Sequence, residues 1–396
     1  MTQKAVLSRR DFLGSVALGA AGLGASGGAR GPNAAAPLVY VGTYTTDGRS
    51  RGIHRYRMHP ASGALRPDGA VTVAANPSFL ALHADRPFLY AVNELTEFEG
   101  APTGAVTAFA VDRPAGALTA LNQRASHGGA PCYVSVDRTG RFALVANYVG
   151  GSVAVLPIRA DGSLGEATSV VQHAGRGPHP ERQRSPHAHC IILDPANRYA
   201  LVADLGTDRV TAYPFDARQG TLARAGASHA ALAPGAGPRH LAFHPGGRVV
   251  YVTNELDSTL SALHYTPGTG ALRELQTIPT LLAPAAQQNS PADLHVAPSG
   301  RFLYLSNRGD DSIAVFEIHP TAGTLELVEL VSTRGRWPRN FAIDPTGRFL
   351  FVANQRSDSI VGFRVDPATG RLTPTGQTVE LPAPVCIRFA DAGGRP

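Results

Sequence analysis

Short, mostly apolar runs separated by polar turn residues recur along the chain from residue 38 to its end. One such run, Phe302-Leu303-Tyr304-Leu305-Ser306-Asn307, is followed after a turn by Ser312-Ile313-Ala314-Val315-Phe316. Short segments that are rich in aromatic and β-branched residues and bounded by turn residues are typical of β-strands. The pattern therefore predicts an all-β protein.

Two local signatures divide this region into repeats. The first is a glycine-containing turn followed by leucine, found at Ser62–Leu65, Ala115–Leu118, Asp161–Leu164, Gln219–Leu222, Thr269–Leu272, Ala322–Leu325 and Thr369–Leu372. The second is a hairpin of the form Asp-x-x-Gly-Arg-Phe, clearest at Asp137–Phe142 and Asp344–Phe349. A repeat of roughly 46–58 residues with several short strands is typical of a propeller blade. The seven repeats predict one seven-bladed β-propeller.

The two ends of the chain carry complementary parts of one blade. Pro384–Phe389 has the pattern of a first strand whose later strands are missing. Leu38–Thr43 and Gly52–Met58 have the pattern of later strands whose first strand is missing. Pairing the N- and C-terminal strands would close the ring and leave no unpaired inner edge.

Composition agrees with many short strands. The 396 residues include 43 Gly and 31 Pro, as expected where turns are frequent. Cys132, Cys190 and Cys386 are too few for a disulfide framework and lie in apolar segments, so we expect buried thiols. No apolar run reaches the ~18–20 residues that span a bilayer.

The first 36 residues have the features of an export signal. Ser8-Arg9-Arg10-Asp11-Phe12-Leu13-Gly14 is a twin-arginine pattern, followed by an Ala/Gly-rich stretch and small residues up to Ala36. We divide the chain into a twin-arginine signal segment, residues 1–36, and a single propeller domain, residues 37–396. The signal predicts transient contact with the twin-arginine export machinery, a periplasmic or secreted location, and no stable membrane anchor.

The formal net charge of +6 is shared between the two segments. Lys4, Arg9, Arg10 and Arg30 against Asp11 give the signal segment +3, which leaves +3 for the propeller. So small a charge does not indicate nucleic-acid binding. We expect a monomer whose partner is a small molecule.

The repeats separate scaffold from site, because positions that are alike in most blades are architectural. Asn or Asp ends the second strand in six blades, at Asn93, Asn147, Asp204, Asn254, Asn307 and Asn354, where it suits a turn. The next position, which we call the loop column, varies: Glu94, Tyr148, Leu205, Glu255, Arg308 and Gln355. No turn requirement explains these residues, so they are site candidates.

Two more columns lie at the start of the innermost strand. The first strand column holds Cys132, His189, Arg239, Ala292 and Arg339, and the second strand column holds Tyr133, Cys190, His240, Asp293 and Asn340. The link into the innermost strand and the loop that leaves the second strand lie at the same end of a propeller. The columns are therefore predicted to converge on one mouth of the central channel.

The longest departure from the repeat is residues 173–189, which carry Arg182, His187 and His189 among several cations. A loop of this kind that folds over the mouth could hold an anion. His187 and His189 share one face of a strand, as metal ligands can. No Cys pair and no carboxylate at fixed spacing completes a metal motif, so we expect no metal and no other cofactor.

Several motifs in register resemble the propeller-type lactonases, a family that contains bacterial 6-phosphogluconolactonases and is similar to fungal carboxy-muconate cyclases. The motifs are Glu181-Arg182-Gln183, Ser185-Pro186-His187-Ala188-His189, Gly237-Pro238-Arg239-His240, Thr253-Asn254-Glu255 and Arg336-Trp337-Pro338-Arg339-Asn340-Phe341. The resemblance implies a metal-free site at the channel mouth. It also implies that His189 (or His187), Arg239 and Glu255 belong to that site, with a second arginine at Arg308 or Arg339.

Lactone hydrolysis needs an activated water, charge stabilisation at the carbonyl oxygen and a proton for the leaving oxygen. The candidate catalytic residues are Glu255 as base, His189 as acid, with these two roles exchangeable, and Arg239 as oxyanion stabiliser. The candidate substrate-binding residues are His187, Arg182, His240, Arg308, Arg339, Asn340, His295 and Glu94. The resulting prediction is a 6-phosphogluconolactonase-like hydrolase of an anionic sugar lactone.

Two other functions remain open at this point. A muconate-type cycloisomerase would use the same residues to move a proton without net addition of water. A non-enzymatic propeller would bind a ligand or a protein on the same face, and it would favour exposed aromatic residues there.

Overall fold

The computed structural model describes residues 36–113, 115–283 and 288–390. Within these residues it contains thirty β-strands, one short 3-10 helix and no α-helix. Residues 1–35 of the predicted signal segment lie outside the described residues. The part of the chain that the structure describes includes no helix with the length and hydropathy of a membrane span.

The strands fall into seven blades. Blade 1 contains β1 (Leu38–Thr43), β2 (Gly52–Met58), β3 (Leu65–Pro67) and β4 (Thr72–Val73). Blade 2 contains β5 (Leu80–Leu82), β6 (Phe88–Asn93), β7 (Ala105–Val111) and β8 (Leu118–Ala125). Blade 3 contains β9 (Pro131–Val136), β10 (Phe142–Asn147), β11 (Ser152–Pro157) and β12 (Ser169–Gln172). Blade 4 contains β13 (Ala188–Leu193), β14 (Tyr199–Asp204), β15 (Arg209–Asp216), β16 (Thr221–Leu222) and β17 (Ser228–Ala231).

The remaining blades follow the same order. Blade 5 contains β18 (Pro238–Phe243), β19 (Val249–Asn254), β20 (Thr259–Thr266) and β21 (Ala271–Pro279). Blade 6 contains β22 (Ser290–Val296), β23 (Phe302–Arg308), β24 (Ser312–Ile318) and β25 (Leu325–Ser332). Blade 7 contains β26 (Pro338–Ile343), β27 (Phe349–Asn354), the 3-10 helix (Gln355–Ser357), β28 (Ser359–Val365) and β29 (Leu372–Glu380). The last strand is β30 (Pro384–Ala390).

Each blade is an antiparallel sheet. In blades 2, 3, 5, 6 and 7 neighbouring strands follow one another in sequence, whereas in blade 4 both β16 and β17 pair with β15, and in blade 1 β3 and β4 pair with β2 while β30 pairs with β1. In blades 2 to 7 the first strand is innermost, and β5, β9, β13, β18, β22 and β26 contact one another in turn around the channel. β30 fills the gap between β26 and β5. It pairs with β1 so that Leu38 lies opposite Ala390 and Val41 opposite Ile387. The prediction of a seven-bladed propeller closed by its terminal strands is therefore confirmed.

The seven glycines of the turn signature set the distance between blades. Each adopts a left-handed conformation, with φ between 68° and 88°. A Cβ on any of them would collide with the first residue of the second strand in the preceding blade, for example with Phe142 at Gly220. In four blade contacts the carbonyl oxygen of the glycine also accepts a hydrogen bond from a tyrosine, as Gly370 does from Tyr304 at 2.9 Å. The repeated glycine is therefore required by contact as well as by backbone conformation.

Replacing Gly220 with alanine is expected to lower the free energy of unfolding by about 2–4 kcal/mol, because strain and overpacking add at this site. Gly100 is a matched control: its φ is 77°, and a Cβ there would have no neighbour within 4 Å. Gly100→Ala should cost only about 1 kcal/mol, the effect of backbone conformation alone. Denaturant unfolding of both variants measures the difference, and equal losses would refute the role of the blade contact.

Irregular pairing near the start of the inner strands brings adjacent side chains into the channel. In β9, Pro131 lies opposite Asn147 and Tyr133 opposite Ala146, so Cys132 is an extra residue without a partner. Register shifts at the same level occur in β13, β18, β22, β26 and β30. Bulges of this kind re-aim side chains next to functional sites. Here the bulges lie at residues of the first strand column, such as Cys132, His189 and Arg339.

Candidate active site

A cavity of about 410 Å³ opens at the end of the channel where the inner strands begin. Five of its lining residues belong to the loop column: Glu94, Tyr148, Glu255, Arg308 and Gln355. Cys132, His189 and Arg339 of the first strand column also line it, together with Tyr44, Arg182, Gln288, Ser290 and Trp337. The loop column and the first strand column thus meet at one mouth, as the repeats predicted.

The carboxylate of Glu255 lies at the centre of an arginine cluster. Oε1 of Glu255 lies 2.6 Å from Nη2 of Arg182, while Oε2 lies 2.9 Å from Nε of Arg239 and 2.8 Å from Nη2 of Arg308. Glu255, Arg239 and Arg308 are buried, whereas the Arg182 side chain is one-third exposed. One buried carboxylate therefore holds three guanidinium groups that come from three different segments.

This cluster fixes the protonation state of Glu255. Burial alone would raise the pKa of Glu255, but the charges of Arg308, Arg239 and Arg182 outweigh it and hold that pKa far below its usual range. The Glu255 carboxylate is therefore ionised, and its oxygens are occupied by the three guanidinium groups. This occupation makes it a holder of arginines and leaves it poorly placed to accept a proton from water.

His189 has the opposite character. It is buried, and the pKa of its imidazole lies well below the usual value because of burial and the charges of Arg239 and Arg339 nearby. Its Nδ1 lies 3.6 Å from Sγ of Cys132, while burial raises the pKa of that thiol. His189 is therefore a neutral imidazole in the cavity wall, and a neutral imidazole can accept a proton.

Tyr148 connects His189 with the segment that carries Arg182. Its ring lies edge-on to the His189 ring, with centroids 5.4 Å apart, and its hydroxyl accepts a hydrogen bond from Nη2 of Arg182 at 3.0 Å. His187 does not line the cavity. Its ring stacks on the Tyr148 ring, with centroids 4.5 Å apart, and its Nδ1 lies 2.8 Å from the Tyr148 carbonyl oxygen. His187 therefore supports Tyr148, and its predicted contact with substrate has no counterpart in the cavity lining.

The opposite wall holds Arg339 between two partners. Its Nη2 lies 3.8 Å from Oε2 of Glu94, and its guanidinium carbon lies 5.4 Å from the centre of the Tyr44 ring. The Tyr44 hydroxyl donates to the Glu94 carboxylate at 3.0 Å. Arg339 therefore lines the cavity beside the Glu94 carboxylate, which lies too far away to form a short ion pair with it.

Trp337 positions Arg308 from the outer side. Its backbone is left-handed, with φ 64°, which is costly for a large side chain and is typical of functional sites. The guanidinium carbon of Arg356 lies 3.4 Å from the ring centre and that of Arg308 lies 5.4 Å from it. Its backbone N–H donates to Asp311 at 2.7 Å. The strained backbone of Trp337 thus places its ring where it contacts Arg308, which lines the cavity.

The second strand column and His295 lie deeper than the sequence predicted. His240, Asp293 and Asn340 are buried below the cavity, where Asp293 accepts hydrogen bonds from both His240 and Asn340. His295 lies two residues further along β22 and lines a separate cavity at the other end of the inner strands. The expectation that His240, Asn340 and His295 contact substrate is therefore not supported by their positions, because strand depth separates them from the mouth.

The long segment 173–189 contributes one of its arginines to the cavity. Arg182 reaches the lining, whereas His173 pairs with Asp204 through Nδ1 at 2.6 Å. Gln183 is fully buried and donates to the Leu205 carbonyl and to Asp208. The segment is anchored beneath Arg182, and apart from Arg182 and His189 its basic side chains do not line the mouth.

Among the described residues, no group of three or more His, Cys, Asp or Glu side chains has an arrangement that could hold a metal ion. The three cysteines are buried and free. Four lining residues were not predicted as site candidates from the sequence: Tyr44, Gln288, Ser290 and Trp337. Tyr44 is the blade 1 member of the loop column, which the split of that blade concealed. Trp337 depends on backbone geometry that no sequence pattern reveals.

The fold and the site define a class of protein that comparison also identifies. Residues 38–389 match the family described as "Lactonase, 7-bladed beta-propeller". The chain belongs to this family of seven-bladed propeller lactonases, as the motifs implied, and its activity class is that of a lactone hydrolase.

Its relatives include named enzymes. The chain is 41% identical over 352 residues to the 6-phosphogluconolactonase of Bacillus subtilis, covering 89% of this chain and 98% of that protein. It is 35% identical over 311 residues to the 6-phosphogluconolactonase of Formosa agariphila, covering 77% and 85%. The solved structure of the periplasmic gluconolactonase of Pseudomonas aeruginosa has 39% identity and a TM-score of 0.83, covering 89% and 98%.

Proposed function

We propose that the protein hydrolyses the ester bond of a gluconolactone and prefers the form that carries a phosphate group. Support for the substrate class comes from the relatives, of which two are named 6-phosphogluconolactonases and one a periplasmic gluconolactonase. The cavity of about 410 Å³ suits a small sugar derivative. The observation that carries the proposal is a buried imidazole, that of His189, in the wall of a cavity with an excess of guanidinium groups.

The charge balance of the cavity favours an anionic substrate. Four guanidinium groups, from Arg182, Arg239, Arg308 and Arg339, surround two carboxylates, from Glu94 and Glu255, so the formal balance is four minus two, or +2. Arginine recognises phosphate and carboxylate oxygens through paired N–H donors. Arg182, which is one-third exposed, and Arg339 are the arginines best placed to meet the charged group of a substrate.

His189 serves as the base in this proposal. Its neutral imidazole takes a proton from water as the water oxygen attacks the lactone carbonyl carbon. The resulting imidazolium returns the proton to the ring oxygen as the C–O bond breaks, so one histidine acts as base and then as acid. Arg239 and Arg339, whose charges already act on His189, stabilise the negative charge that develops on the carbonyl oxygen.

Glu255 takes a different part from the one first assigned to it. Because its carboxylate is occupied by three guanidinium groups, it orients Arg182, Arg239 and Arg308. This division differs from both arrangements that the sequence left open for Glu255 and His189, because His189 carries both proton transfers and Glu255 carries neither.

The substrate is tested by measuring hydrolysis of 6-phosphogluconolactone and of unphosphorylated gluconolactone by the purified protein, with and without a chelator. We expect turnover of both, and a kcat/KM about tenfold or more higher for the phosphorylated lactone, the gain of one charge-assisted contact. The chelator should leave both rates unchanged. Absence of turnover above the spontaneous rate would refute the lactonase proposal. Faster hydrolysis of the plain lactone would refute only the preference for phosphate.

We also propose that the protein is exported in a folded state. The support is the twin-arginine pattern at Arg9 and Arg10 and the similarity to a periplasmic gluconolactonase. Changing Arg9 and Arg10 together to lysine should retain the protein inside the cell, measured by fractionation. The single variant Lys4→Arg is the control and should be exported normally. Normal export of the double-lysine variant would refute the twin-arginine route.

A further inference from the structure

We infer that His240 and Asp293 are positioning residues that fix the orientation of Arg239 and, through it, of the Glu255 carboxylate. For its kinetic consequences the inference rests on the proposed lactonase function. Its structural content, the tautomer of a buried histidine, can be measured without any substrate.

The two residues belong to a layer that closes the channel below the cavity. His240 packs edge-on against Phe79 and Tyr133, with ring centroids 5.7 and 5.3 Å away. Its ring centroid also lies 5.3 Å from that of His189. The layer therefore lies directly beneath the proposed catalytic base.

Asp293 is the acceptor at the centre of this layer. Its Oδ1 lies 2.7 Å from Nδ1 of His240 and accepts from the Leu294 backbone N–H at 3.0 Å. Its Oδ2 accepts from the Asn340 amide and lies 3.0 Å from Nε2 of His295. A carboxylate offers about four acceptor sites, and these four partners occupy them. An ionised Asp293 is therefore fully satisfied in this place.

The bond to Asp293 fixes the tautomer of His240. Since a carboxylate only accepts, Nδ1 of His240 carries the proton, and Nε2 presents a lone pair. Nε2 lies 3.1 Å from Nη1 of Arg239, whose N–H donates a hydrogen bond to this lone pair. Burial and the charge of Arg239 lower the pKa of His240 to about 3, so the ring stays neutral and keeps this acceptor.

Arg239 is thereby held from two sides. Its Nη1 is directed to Nε2 of His240 and to the Ala292 carbonyl oxygen, the latter at 2.6 Å. Its Nε lies 2.9 Å from Oε2 of Glu255. Arg239 and His240 are consecutive residues, and the register shift in β18 allows both to face the channel. The contacts therefore form a chain in which Asp293 holds His240, His240 holds Arg239, and Arg239 holds Glu255.

The test begins with two substitutions of His240 that separate its two contacts. In His240→Gln, the side-chain oxygen can reach the place of Nε2 and again accept from Arg239. In His240→Asn, the shorter amide can replace Nδ1 and donate to Asp293, but it offers nothing to Arg239. We expect kcat/KM to fall about 10- to 100-fold in His240→Asn, the range seen for partners that orient a functional group. His240→Gln should recover most of this loss.

Asp293→Asn tests the tautomer. The amide can place a donor opposite Nδ1 of His240, so the ring proton moves to Nε2 and meets the N–H of Arg239. We expect a similar fall in kcat with a smaller change in KM, and only a slight further fall when Asp293→Asn is added to His240→Gln. Nitrogen-15 NMR of histidine-labelled protein should show His240 protonated on Nδ1 in the native chain and on Nε2 in Asp293→Asn.

A second buried histidine provides the control. His173 also pairs with an aspartate through Nδ1, and its Nε2 has no hydrogen-bond partner in the described part of the chain. His173→Asn should therefore keep the native kcat/KM while costing comparable thermal stability. Equal activity losses in His173→Asn and His240→Asn, or a native His240 protonated on Nε2, would overturn the inference. Failure of every lactone as substrate would refute the proposed function and leave the NMR test intact.

Discussion

Replacing Glu255 with glutamine is expected to reduce kcat by about 10²–10³, the cost of disturbing preorganised charge at a reaction centre. The variant keeps the size of the side chain but removes its charge. One end of the new amide is a donor, and it would face the donors of Arg182 or of Arg239 and Arg308. Steady-state kinetics on the preferred lactone measure the loss.

A binding measurement tests the electrostatic coupling between Glu255 and the arginines of the cavity. Without the Glu255 charge the formal balance of the cavity rises by one positive unit, so the anionic product should bind more tightly to Glu255→Gln than to the native protein. Unchanged product affinity would contradict this coupling. Glu94→Gln is the matched comparison. Glu94 has one guanidinium partner, at 3.8 Å, and its loss should reduce kcat far less.

His189→Gln should reduce kcat by about 10²–10⁴, the usual contribution of a general acid–base group. Glutamine preserves polarity and much of the volume but cannot take a proton from water. Product affinity should change little, since Arg182 and Arg339 remain in place. A variant that retains the native kcat would exclude His189 from the chemistry.

The pH dependence of the native protein tests the same assignment. Only neutral His189 can act as the base, and its pKa lies well below the usual value because of burial and neighbouring arginines. Protonation therefore sets in at lower pH than for an ordinary histidine. We expect kcat/KM to stay level as the pH falls through about 6.5, the usual histidine pKa, and to decline only below it. An acid limb centred at that usual value would contradict the assignment.

Much of this architecture could be predicted from sequence because each blade is specified locally. The Asp of each hairpin signature illustrates this: Oδ1 of Asp344 accepts from the backbone N–H groups of Arg348 and Phe349, both at 2.7 Å. Such contacts lie within a few residues and recur, so the repeat length and the strand register follow from them. The loop column could be placed for the same reason.

Depth along the channel could not be predicted in this way. Where an inner strand bulges, two consecutive side chains face the axis, and sequence does not tell which one reaches the mouth. Arg339 lines the cavity, while its neighbour Asn340 lies in the buried layer. The protonation states of Glu255 and His189 also depend on residues from distant blades. These protonation states follow from the positions of the arginines in three dimensions, which the sequence does not contain.

The closure of the ring also determines how the molecule responds to mechanical force. Leu38 at the start of β1 lies opposite Ala390 at the end of β30, so both ends of the propeller leave the same end of one strand pair. Hydrogen bonds between antiparallel strands run perpendicular to the strands. A force that pulls the two ends apart therefore loads these bonds one after another, as in unzipping, instead of all together, as in shear. A ring without a free inner edge at equilibrium would thus open at low force when it is pulled by its termini.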